Sequence, residues 1–310
     1  MSKNRIPMEF VERWESFYGK SQTESIIHNL RQDDPRIIVP NLLKIDISNL
    51  MLQLECKGFK FKKIKELNGL IVTLEPFNIV STPEYLSGMF SIQALSSLIP
   101  PLTLQPSPYS TVADLAASPG IKTSFLAQQM NNKGTIIAIE KSSKRIPALK
   151  ANLIRMGVLN TIILNLDSVL FPKLDIQVDH ILLDAPCSGT GLKLAKNKRL
   201  RPRILNDIFR LAKQQEALLE KAWEQLKPNG TLVYSTCSLE PEEGEVQIGN
   251  FLEHHENEAV LLSIPFDIGS PGNKTNWKIP LHTQLIKTKR IFPKLGYDGF
   301  FTAILKKVIN

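Results

Sequence analysis

The segment VADLAASPGIKT, residues 112–123, decides the expected fold, because an apolar strand runs through small residues and a glycine directly into a helix. The same rhythm of strand and helix continues towards the C-terminus. We predict strands at residues 111–115, 135–140, 161–166, 178–183, 231–235, 285–292 and 299–306, and helices at residues 121–130, 144–156, 206–226 and 242–254. This alternation is typical of a doubly wound, mostly parallel α/β sheet, whose ligands bind at the carboxyl ends of the strands.

The N-terminal third of the chain follows a different pattern, which predicts a small α+β module. We expect helices interrupted near Gly19 within residues 8–30, strands at residues 37–40, 59–64 and 70–74, and a helix at residues 48–56. A further helix at residues 91–99 is expected to end at Pro100 and Pro101, since proline disfavours a helical residue before it. We place the boundary between a module of residues 1–85 and a larger domain of residues 86–310.

The composition is that of an ordinary globular chain of 310 residues with an excess of positive charge. Its net charge of +8 and sequence pI of about 9.3 favour an acidic partner such as nucleic acid. No apolar run approaches the ~20 residues of a membrane span, and the charged N-terminus does not resemble a signal peptide. Three cysteines without disulfide-like spacing predict reduced thiols and a cytoplasmic protein with no membrane association.

The loop within residues 112–123 matches neither common nucleotide-binding pattern. A phosphate-binding loop needs glycine directly before lysine, whereas Ile121 separates Gly120 from Lys122, and the Gly-x-Gly-x-x-Gly pattern is absent. Asp114 at the mouth of the loop would repel a phosphate and would suit a ligand that carries a positive amino or sulfonium group. The alternative interpretation is a tight turn without a ligand.

Acidic residues recur where the following strands are predicted to end. Glu140 ends the second strand, where a carboxylate can accept hydrogen bonds from ribose hydroxyls. Asp167 ends the third strand, where it can accept one from an adenine amino group. Arg145, in the first turn of the next helix, is either a surface charge or a brace for this site. Each acid alone is compatible with a solvated loop or a helix cap, but their repetition favours a nucleoside-type ligand.

Two motifs, HILLDAPCSGTG at residues 180–191 and GTLVYSTCSLEPEE at residues 230–243, each place a cysteine after an apolar strand. Asp184 also lies at the rim of the first of these strands. Cys187 and Cys237 should therefore meet at one edge of the sheet, where two thiols indicate a disulfide, a metal site or covalent catalysis. The histidines are scattered and no Cys-x-x-Cys motif is present, so neither a metal site nor a redox pair is predicted.

A basic segment, GLKLAKNKRLRPR at residues 191–203, follows the first cysteine motif. Its six cations are Lys193, Lys196, Lys198, Arg199, Arg201 and Arg203. One interpretation is a solvated loop. Because the segment adjoins the proposed site, the other is a contact surface for a substrate with a phosphate backbone.

Together these motifs resemble those of the Sun-type (NSUN) RNA cytosine-5 methyltransferases. The resemblance runs from about residue 88 to the C-terminus and includes GMFSIQALSSLIPP, DLAASPGIKT, DAPCSGTG, YSTCSLEPEE and RIFPKLGYDGFFTAIL. It implies a Rossmann-like methyltransferase sheet, and residues 35–64 resemble more loosely the small RNA-recognition-like module that precedes it. The family loop usually reads DLCAAPGGKT, from which this chain departs at Ala116, Ser118 and Ile121.

The resemblance implies S-adenosylmethionine as cofactor and an RNA, either rRNA or tRNA, as partner. The implied cofactor-binding residues are Ala116, Ala117, Ser118, Pro119, Gly120, Ile121, Lys122, Glu140, Arg145, Asp167 and Asp184. It also implies Cys237 as the nucleophile that attacks carbon 6 of cytosine, and Cys187 as the residue that helps product release. Asp184, if it reaches ring nitrogen 3, can hold a proton there, and the basic segment would contact the RNA backbone.

Two other functions stay open at this point. A DNA cytosine-5 methyltransferase would use the Pro-Cys thiol, here Cys187, as nucleophile, and the second cysteine motif argues against it. A non-catalytic RNA-binding assembly factor would keep the fold, but the presence of both cysteines and all the proposed cofactor acids disfavours it. The sequence leaves open the RNA class, the target cytosine, the oligomeric state and the base that removes the hydrogen from carbon 5.

Overall fold

The computed structural model describes residues 6–64, 67–194, 205–272 and 282–308. The N-terminal elements are α1 (Met8–Tyr18), α2 (Lys20–Leu30), β1 (Ile37–Pro40), α3 (Ile47–Glu55), β2 (Lys60–Ile64), β3 (Gly69–Leu74), α4 (Pro83–Leu86) and β4 (Phe90–Ile92). The four strands form an antiparallel sheet in the order β2-β3-β1-β4. Leu50 and Leu54 of α3 pack on Ile38 and Leu70 of this sheet, which confirms the small α+β module.

The first two helices are separated at Gly19, where the backbone has φ +79° and the helix cannot continue. Phe10, Trp14, Ile26 and Leu30 are almost fully buried and form one cluster with Leu239, a residue of the C-terminal half. The two helices therefore do not project from the molecule. They pack directly against the second cysteine motif, two residues after Cys237.

The region around residue 90 differs from the sequence-based expectation. β4 pairs with β1, so the small sheet takes its last strand from beyond residue 85, while the domain boundary itself stays a prediction. The helix expected at residues 91–99 is wrong, because residues 95–98 form a 3₁₀ turn and the helix is α5 (Ile99–Leu104). Pro100 and Pro101 lie in its first turn, where a missing N–H is not needed, so the prolines begin a helix and do not end one.

The larger sheet follows α5 in chain order. Its elements are β5 (Thr111–Asp114), α6 (Ile121–Gln129), β6 (Thr135–Ile139), α7 (Ile146–Met156), β7 (Thr161–Leu164), β8 (Val178–Asp184), α8 (Leu205–Glu224), β9 (Leu226–Thr236), α9 (Glu245–His254), β10 (Ala259–Leu262), β11 (Ser270–Pro271), β12 (Lys289–Ile291) and β13 (Phe300–Lys307). Across the described residues, nine strands join in the order β11-β12-β13-β9-β8-β5-β6-β7, with β10 also paired to β13.

The two halves of this sheet differ in strand direction. β7, β6, β5, β8 and β9 are parallel, which confirms the Rossmann-like α/β prediction for the half that carries the motifs. β13 is antiparallel to β9, and β10 and β12 are antiparallel to β13. β10 and β11 were not expected, and residues 283–287 form a 3₁₀ turn where a strand was predicted from residue 285.

The central strands are buried on both faces, as expected for a sheet with helices on either side. Ile181 and Leu183 of β8 face a cluster that includes Trp223 of α8 and Phe251 of α9. Leu182, between them, faces the opposite cluster, with Leu126 of α6. This packing fixes the strand ends in space and thereby fixes the loops that carry the predicted site.

Among the residues that the structure describes, no helix is both long enough and apolar enough to cross a membrane.

Candidate active site

The carboxyl ends of the parallel strands bring the predicted site residues to one edge of the sheet. β5 ends at Asp114 and β6 is followed by Glu140, while β8 ends at Asp184 and β9 is followed by Cys237. Since neighbouring parallel strands end at the same edge, the loops after them surround a common space. The site has two halves, one built after β5, β6 and β7 and the other after β8 and β9.

The loop between β5 and α6 is held against the sheet by its own backbone. Ala117 N donates to Ile139 O at 3.0 Å, and Gly120 N donates to Ala117 O at 2.7 Å. Gly120 has φ +95°, and a Cβ there would lie 2.9 Å from Leu149 Cδ1, so a larger residue would strain the loop. The loop therefore offers a closely packed backbone next to the N-terminus of α6, where N–H groups can meet a ligand.

Glu140 and Arg145 form the floor next to this loop. Glu140 is 4% exposed, and its Oε1 accepts a hydrogen bond from Ser142 N at 2.8 Å. Arg145 Nη1 lies 3.1 Å from Glu140 Oε2, and Arg145 Nη2 donates to Ser118 O. Arg145 therefore links the acid to the loop, at the position of the predicted brace. Within the described residues, the buried Oε2 has the ion pair with Arg145 but no hydrogen bond, so it can accept one from a ligand hydroxyl.

Asp167 lies at the more open side of this half. Its Oδ1 accepts from Val169 N at 3.3 Å and caps the 3₁₀ turn at Ser168–Leu174. Lys141 Nζ lies 2.6 Å from its Oδ2, but the lysine side chain is 67% exposed, so this ion pair is well screened by water. The structure thus shows the capping role, and the contact with an adenine amino group stays a prediction.

Asp114 is the buried acid at the base of the loop. It is 1% exposed, and Thr123 Oγ1 donates to its Oδ2 at 2.7 Å. Burial raises the pKa of Asp114 to about 6, against the opposing effects of the Thr123 hydrogen bond and the positive charge of Lys122. Its carboxylate is still ionised at neutral pH and gives the loop a negative potential.

Asp184 lies between the two halves and is held by one side chain from each. Lys122 Nζ lies 2.7 Å from Asp184 Oδ2, and Ser235 Oγ donates to Asp184 Oδ1 at 2.7 Å. Burial lowers the pKa of Lys122, but the charge and hydrogen bond of Asp184 more than offset this effect, so the pKa is raised overall. The ammonium of Lys122 is thus directed at Asp184, which the phosphate-loop pattern would not have suggested.

The two predicted thiols meet at the other half of the site. Cys187 Sγ and Cys237 Sγ are 3.2 Å apart, both are half-buried, and neither cysteine is part of a disulfide. This separation exceeds the ~2.05 Å of a disulfide bond. The two loops are also joined directly, because Gly191 N donates to Cys237 O at 3.1 Å and the hydroxyls of Ser188 and Ser238 are 3.0 Å apart.

The environment of Cys187 favours its protonated form. Its hydrogen bond with Cys237, its burial and the negative charges at Cys237, Glu243 and Asp184 raise the pKa of the Cys187 thiol well above its usual range. Two adjacent thiols rarely both ionise, because two like charges at this distance repel each other. A pair in which one sulfur is a thiolate and the other a thiol suits covalent catalysis with a proton donor alongside.

Of the six cations in the basic segment, only Lys193 lies within the described residues. Lys193 Nζ forms an ion pair with Asp34, the lysine side chain is 9% exposed, and Lys193 N donates to Asp298 at 3.0 Å. Lys193 therefore joins two parts of the protein, and this geometry does not present it to an RNA backbone. The other five predicted RNA-binding cations, Lys196, Lys198, Arg199, Arg201 and Arg203, lie outside the described residues.

Sequence reasoning missed the polar residues buried behind the cysteine loops. They are Gln215, Glu240, Glu243, Glu245 and Arg290, each at most 1% exposed. A local signal for the acidic ones is the density of acids at residues 240–245, shortly after Cys237, but the sequence pattern there predicts only the start of a helix. Within the described residues, no group of three or more His, Cys, Asp or Glu side chains is arranged to hold a metal ion.

The sequence of the chain is similar to those of a known protein family. Residues 101–306 match the model of the family described as 16S rRNA methyltransferase RsmB/F. The chain is 37% identical over 248 residues to the human 28S rRNA (cytosine(4447)-C(5))-methyltransferase, covering 78% of this chain and 30% of that protein. It is 33% identical to the ribosomal RNA small subunit methyltransferase F of Vibrio atlanticus (strain LGP32), covering 98% of this chain and 64% of that protein. The chain thus spans less than two thirds of either relative.

Solved structures show the same likeness over nearly the whole chain. A methyltransferase homolog protein from Pyrococcus horikoshii superposes with a TM-score of 0.88 at 39% identity, covering 98% of this chain and 96% of that one. NSun6 from Pyrococcus horikoshii, in a crystal structure with SFG, superposes with a TM-score of 0.86 at 27% identity, covering 98% and 99% of the two chains.

Proposed function

Since the chain belongs to the 16S rRNA methyltransferase RsmB/F family, we propose that it is an S-adenosylmethionine-dependent RNA cytosine-5 methyltransferase. The observation that carries this proposal is the contact between Cys187 Sγ and Cys237 Sγ, 3.2 Å apart. These thiols lie beside Asp184, which ends the neighbouring strand. Carbon 5 of cytosine is a weak nucleophile, so its methylation needs a covalent activation that a thiolate can provide.

S-adenosylmethionine fits the half of the site built after β5, β6 and β7. The buried Oε2 of Glu140 can accept from a ribose hydroxyl, and the close packing of Gly120 on Leu149 holds the loop beside this acid. Asp114 supplies a negative charge that favours a positive amino or sulfonium group. Lys122, Arg145, Asp167 and Asp184 complete the proposed binding residues around residues 116–121. When bound, the cofactor supplies an electrophilic methyl group.

Cys237 is the proposed nucleophile. Its thiolate attacks carbon 6 of the cytosine, a proton is taken up at nitrogen 3, and carbon 5 becomes an enamine carbon that can accept the methyl group. After the methyl group has reached carbon 5, a base removes the hydrogen from that carbon. The double bond between carbons 5 and 6 then reforms as the sulfur leaves as a thiolate, and nitrogen 3 gives up the proton it had taken. Cys187, held as a thiol 3.2 Å away, can donate a hydrogen bond to the departing sulfur.

Asp184 is the proposed partner of the ring nitrogen. As a carboxylate bridged to Lys122 and Ser235, it is held in one orientation at the rim between the cofactor and the thiols. A carboxylate fixed there would accept a hydrogen bond from the protonated nitrogen 3 and offset the positive charge on the ring. Because Lys122 and Ser235 already hold this carboxylate, little reorganisation is needed when the cytosine enters the site.

We propose rRNA as the substrate class, supported by the names of the curated relatives, and keep tRNA as the alternative within RNA. The net charge of +8 is compatible with an RNA partner. The three cysteines, none of which is part of a disulfide, support a reducing, cytoplasmic location. The target base must be unpaired or extruded to reach a site at the sheet edge, which costs a few kcal/mol.

The direct test is methylation by the purified chain with isotope-labelled S-adenosylmethionine and unmodified rRNA, tRNA or duplex DNA. Mass spectrometry of the digested nucleosides should show labelled 5-methylcytosine from rRNA. Product from tRNA alone would make tRNA the substrate class, and product from DNA alone would favour the DNA-type enzyme. Binding of RNA without any product would leave the non-catalytic assembly factor as the better interpretation.

A further inference from the structure

We infer that Glu243 and Gln215 are positioning residues that hold the loop of residues 186–191, and with it Cys187, against Cys237. The inference rests on the proposed function, because it assigns these residues to one step of that reaction. Neither residue was found from the sequence. Both are 0% exposed, so they lie behind the site and do not contact a substrate.

The carboxylate of Glu243 receives three hydrogen bonds. Its Oε1 accepts from Ser188 N at 2.8 Å and from Gln215 Nε2 at 3.0 Å, and its Oε2 accepts from Ser188 Oγ. A buried carboxylate is costly unless such donors compensate for the loss of water. Two of the three donors belong to the residue that directly follows Cys187, so the carboxylate fixes that end of the loop.

Gln215 fixes the other end of the same loop. It lies on the buried face of α8, and its Nε2 also donates to Pro186 O at 2.9 Å. Its Oε1 accepts from Tyr234 Oη at 3.0 Å, so the amide is engaged at both ends. The residues before and after Cys187 are therefore tied to one buried pair. Such a framework determines where the thiol points without touching it.

The charge of Glu243 also affects the protonation of the Cys187 thiol. The negative charge of Glu243 is one of the influences, after the Cys237 hydrogen bond and burial, that raise the pKa of Cys187. The same framework thus keeps Cys187 in place and protonated. A thiol in this state can assist the departure of the Cys237 sulfur from carbon 6 and is not needed for the attack. Loss of the framework should therefore impair adduct breakdown and spare adduct formation.

The buried pair of Glu243 and Gln215 differs from the buried residues that support Cys237. Arg290 Nε donates to Glu245 Oε1 at 3.0 Å, and Arg290 Nη1 donates to Ser238 O, next to Cys237. These hydrogen bonds of Arg290 reach Glu245 and Ser238, whereas those of the Glu243 carboxylate and the Gln215 amide reach Ser188 and Pro186. The side chains behind the two loops are therefore different, although the hydroxyls of Ser188 and Ser238 join the loops, so each support can be mutated in turn.

The experiment compares Glu243→Ala, E243Q and the matched control Glu220→Ala in the full chain. Glu220 lies on α8 and pairs with His255 at the surface. For Glu243→Ala we expect kcat to fall about 10- to 100-fold, as for a displaced catalytic group, with the KM for RNA little changed. A protein–RNA adduct should survive denaturing electrophoresis. E243Q should restore most of the activity, because its amide can accept from Ser188 N and donate to Ser188 Oγ.

The outcomes separate this inference from the proposed function. A wild-type chain that forms neither 5-methylcytosine nor an adduct would remove the proposed function itself. With an active wild type, a Glu243→Ala variant as active as Glu220→Ala would overturn the positioning role. So would a folded variant unable to form the adduct, or an E243Q variant that fails to rescue. If Glu243→Ala does not fold, Gln215→Met carries the same prediction, because it keeps the volume and loses all three hydrogen bonds of the amide.

Discussion

The two halves of the site both contain ion pairs, but the pairs differ in how far they are exposed to water. On the cofactor half, Arg145 is 54% exposed and Lys141 is 67% exposed, so the acids they pair with face water-accessible partners. On the cysteine half, the supporting ion pair of Arg290 and Glu245 is at most 1% exposed. A half that exchanges a small ligand every turnover benefits from partners that can move. A half that must hold two sulfur atoms in contact benefits from a rigid polar interior.

The largest expected effect of this difference is on stability. Arg290→Met should lower the free energy of unfolding by about 3–5 kcal/mol, because it leaves the carboxylate of Glu245 buried without its partner. Arg145→Met, the matched change on the exposed half, should cost less than ~1 kcal/mol. Urea denaturation followed by circular dichroism measures both. Equal losses in the two variants would contradict the contrast between a buried and an exposed framework.

The next effect is on catalysis at the boundary between the halves. Asp184→Asn keeps the shape of the side chain but removes the charge, and we expect kcat to fall about 10²–10³-fold, the range for a lost electrostatic contact to a transition state. Asp179→Asn is the control, since Asp179 lies at the other end of β8 and pairs with Lys227 at 2.9 Å. Steady-state methylation kinetics distinguish the two. A fully active Asp184→Asn variant would exclude Asp184 from the chemistry.

The smallest effects are expected on cofactor affinity, where the two acids should differ. Glu140→Ala removes a buried acceptor and should weaken S-adenosylmethionine binding by about 1–3 kcal/mol. Asp167→Ala removes a more exposed acid already paired with Lys141, so its effect should be smaller. Isothermal titration calorimetry measures both affinities. An unchanged affinity in both variants would remove the two acids from the cofactor site.

The sequence was sufficient for the parts of the fold whose signals are local. The strand, loop and helix around Gly120 and the two cysteine motifs are marked by apolar runs and small residues, and the parallel strand order then brings Cys187 and Cys237 together. The antiparallel half was less accessible. β10 is a run of four residues, AVLL, whose pairing with β13 depends on residues more than forty positions away. The helix near Pro100 and Pro101 was placed on the wrong side of the prolines, because proline occurs both at helix starts and after helix ends.

The same distinction between local and long-range signals applies to the candidate site. Residue types at strand ends predicted which side chains would converge, but not what each would contact. Nothing local to Lys122 shows that its ammonium reaches Asp184, a residue of a different strand. The framework of Gln215 and Glu243 is still less visible, because Gln215 occupies a position on α8 that the periodicity assigns only to a buried face. Its meaning depends on Pro186 and Ser188, which only the folded chain brings beside it.

The central claim is that the two adjacent thiols perform different steps, and trapping of the covalent adduct tests it most directly. The chain and its Cys237→Ala, Cys187→Ala and Cys56→Ala variants would be incubated with rRNA and S-adenosylmethionine and separated by denaturing electrophoresis. Cys56 is exposed and serves as the control for loss of a thiol. We expect no product and no adduct from Cys237→Ala, and a persistent protein–RNA adduct from Cys187→Ala. An adduct that accumulates in Cys237→Ala instead would make Cys187 the nucleophile and contradict this account.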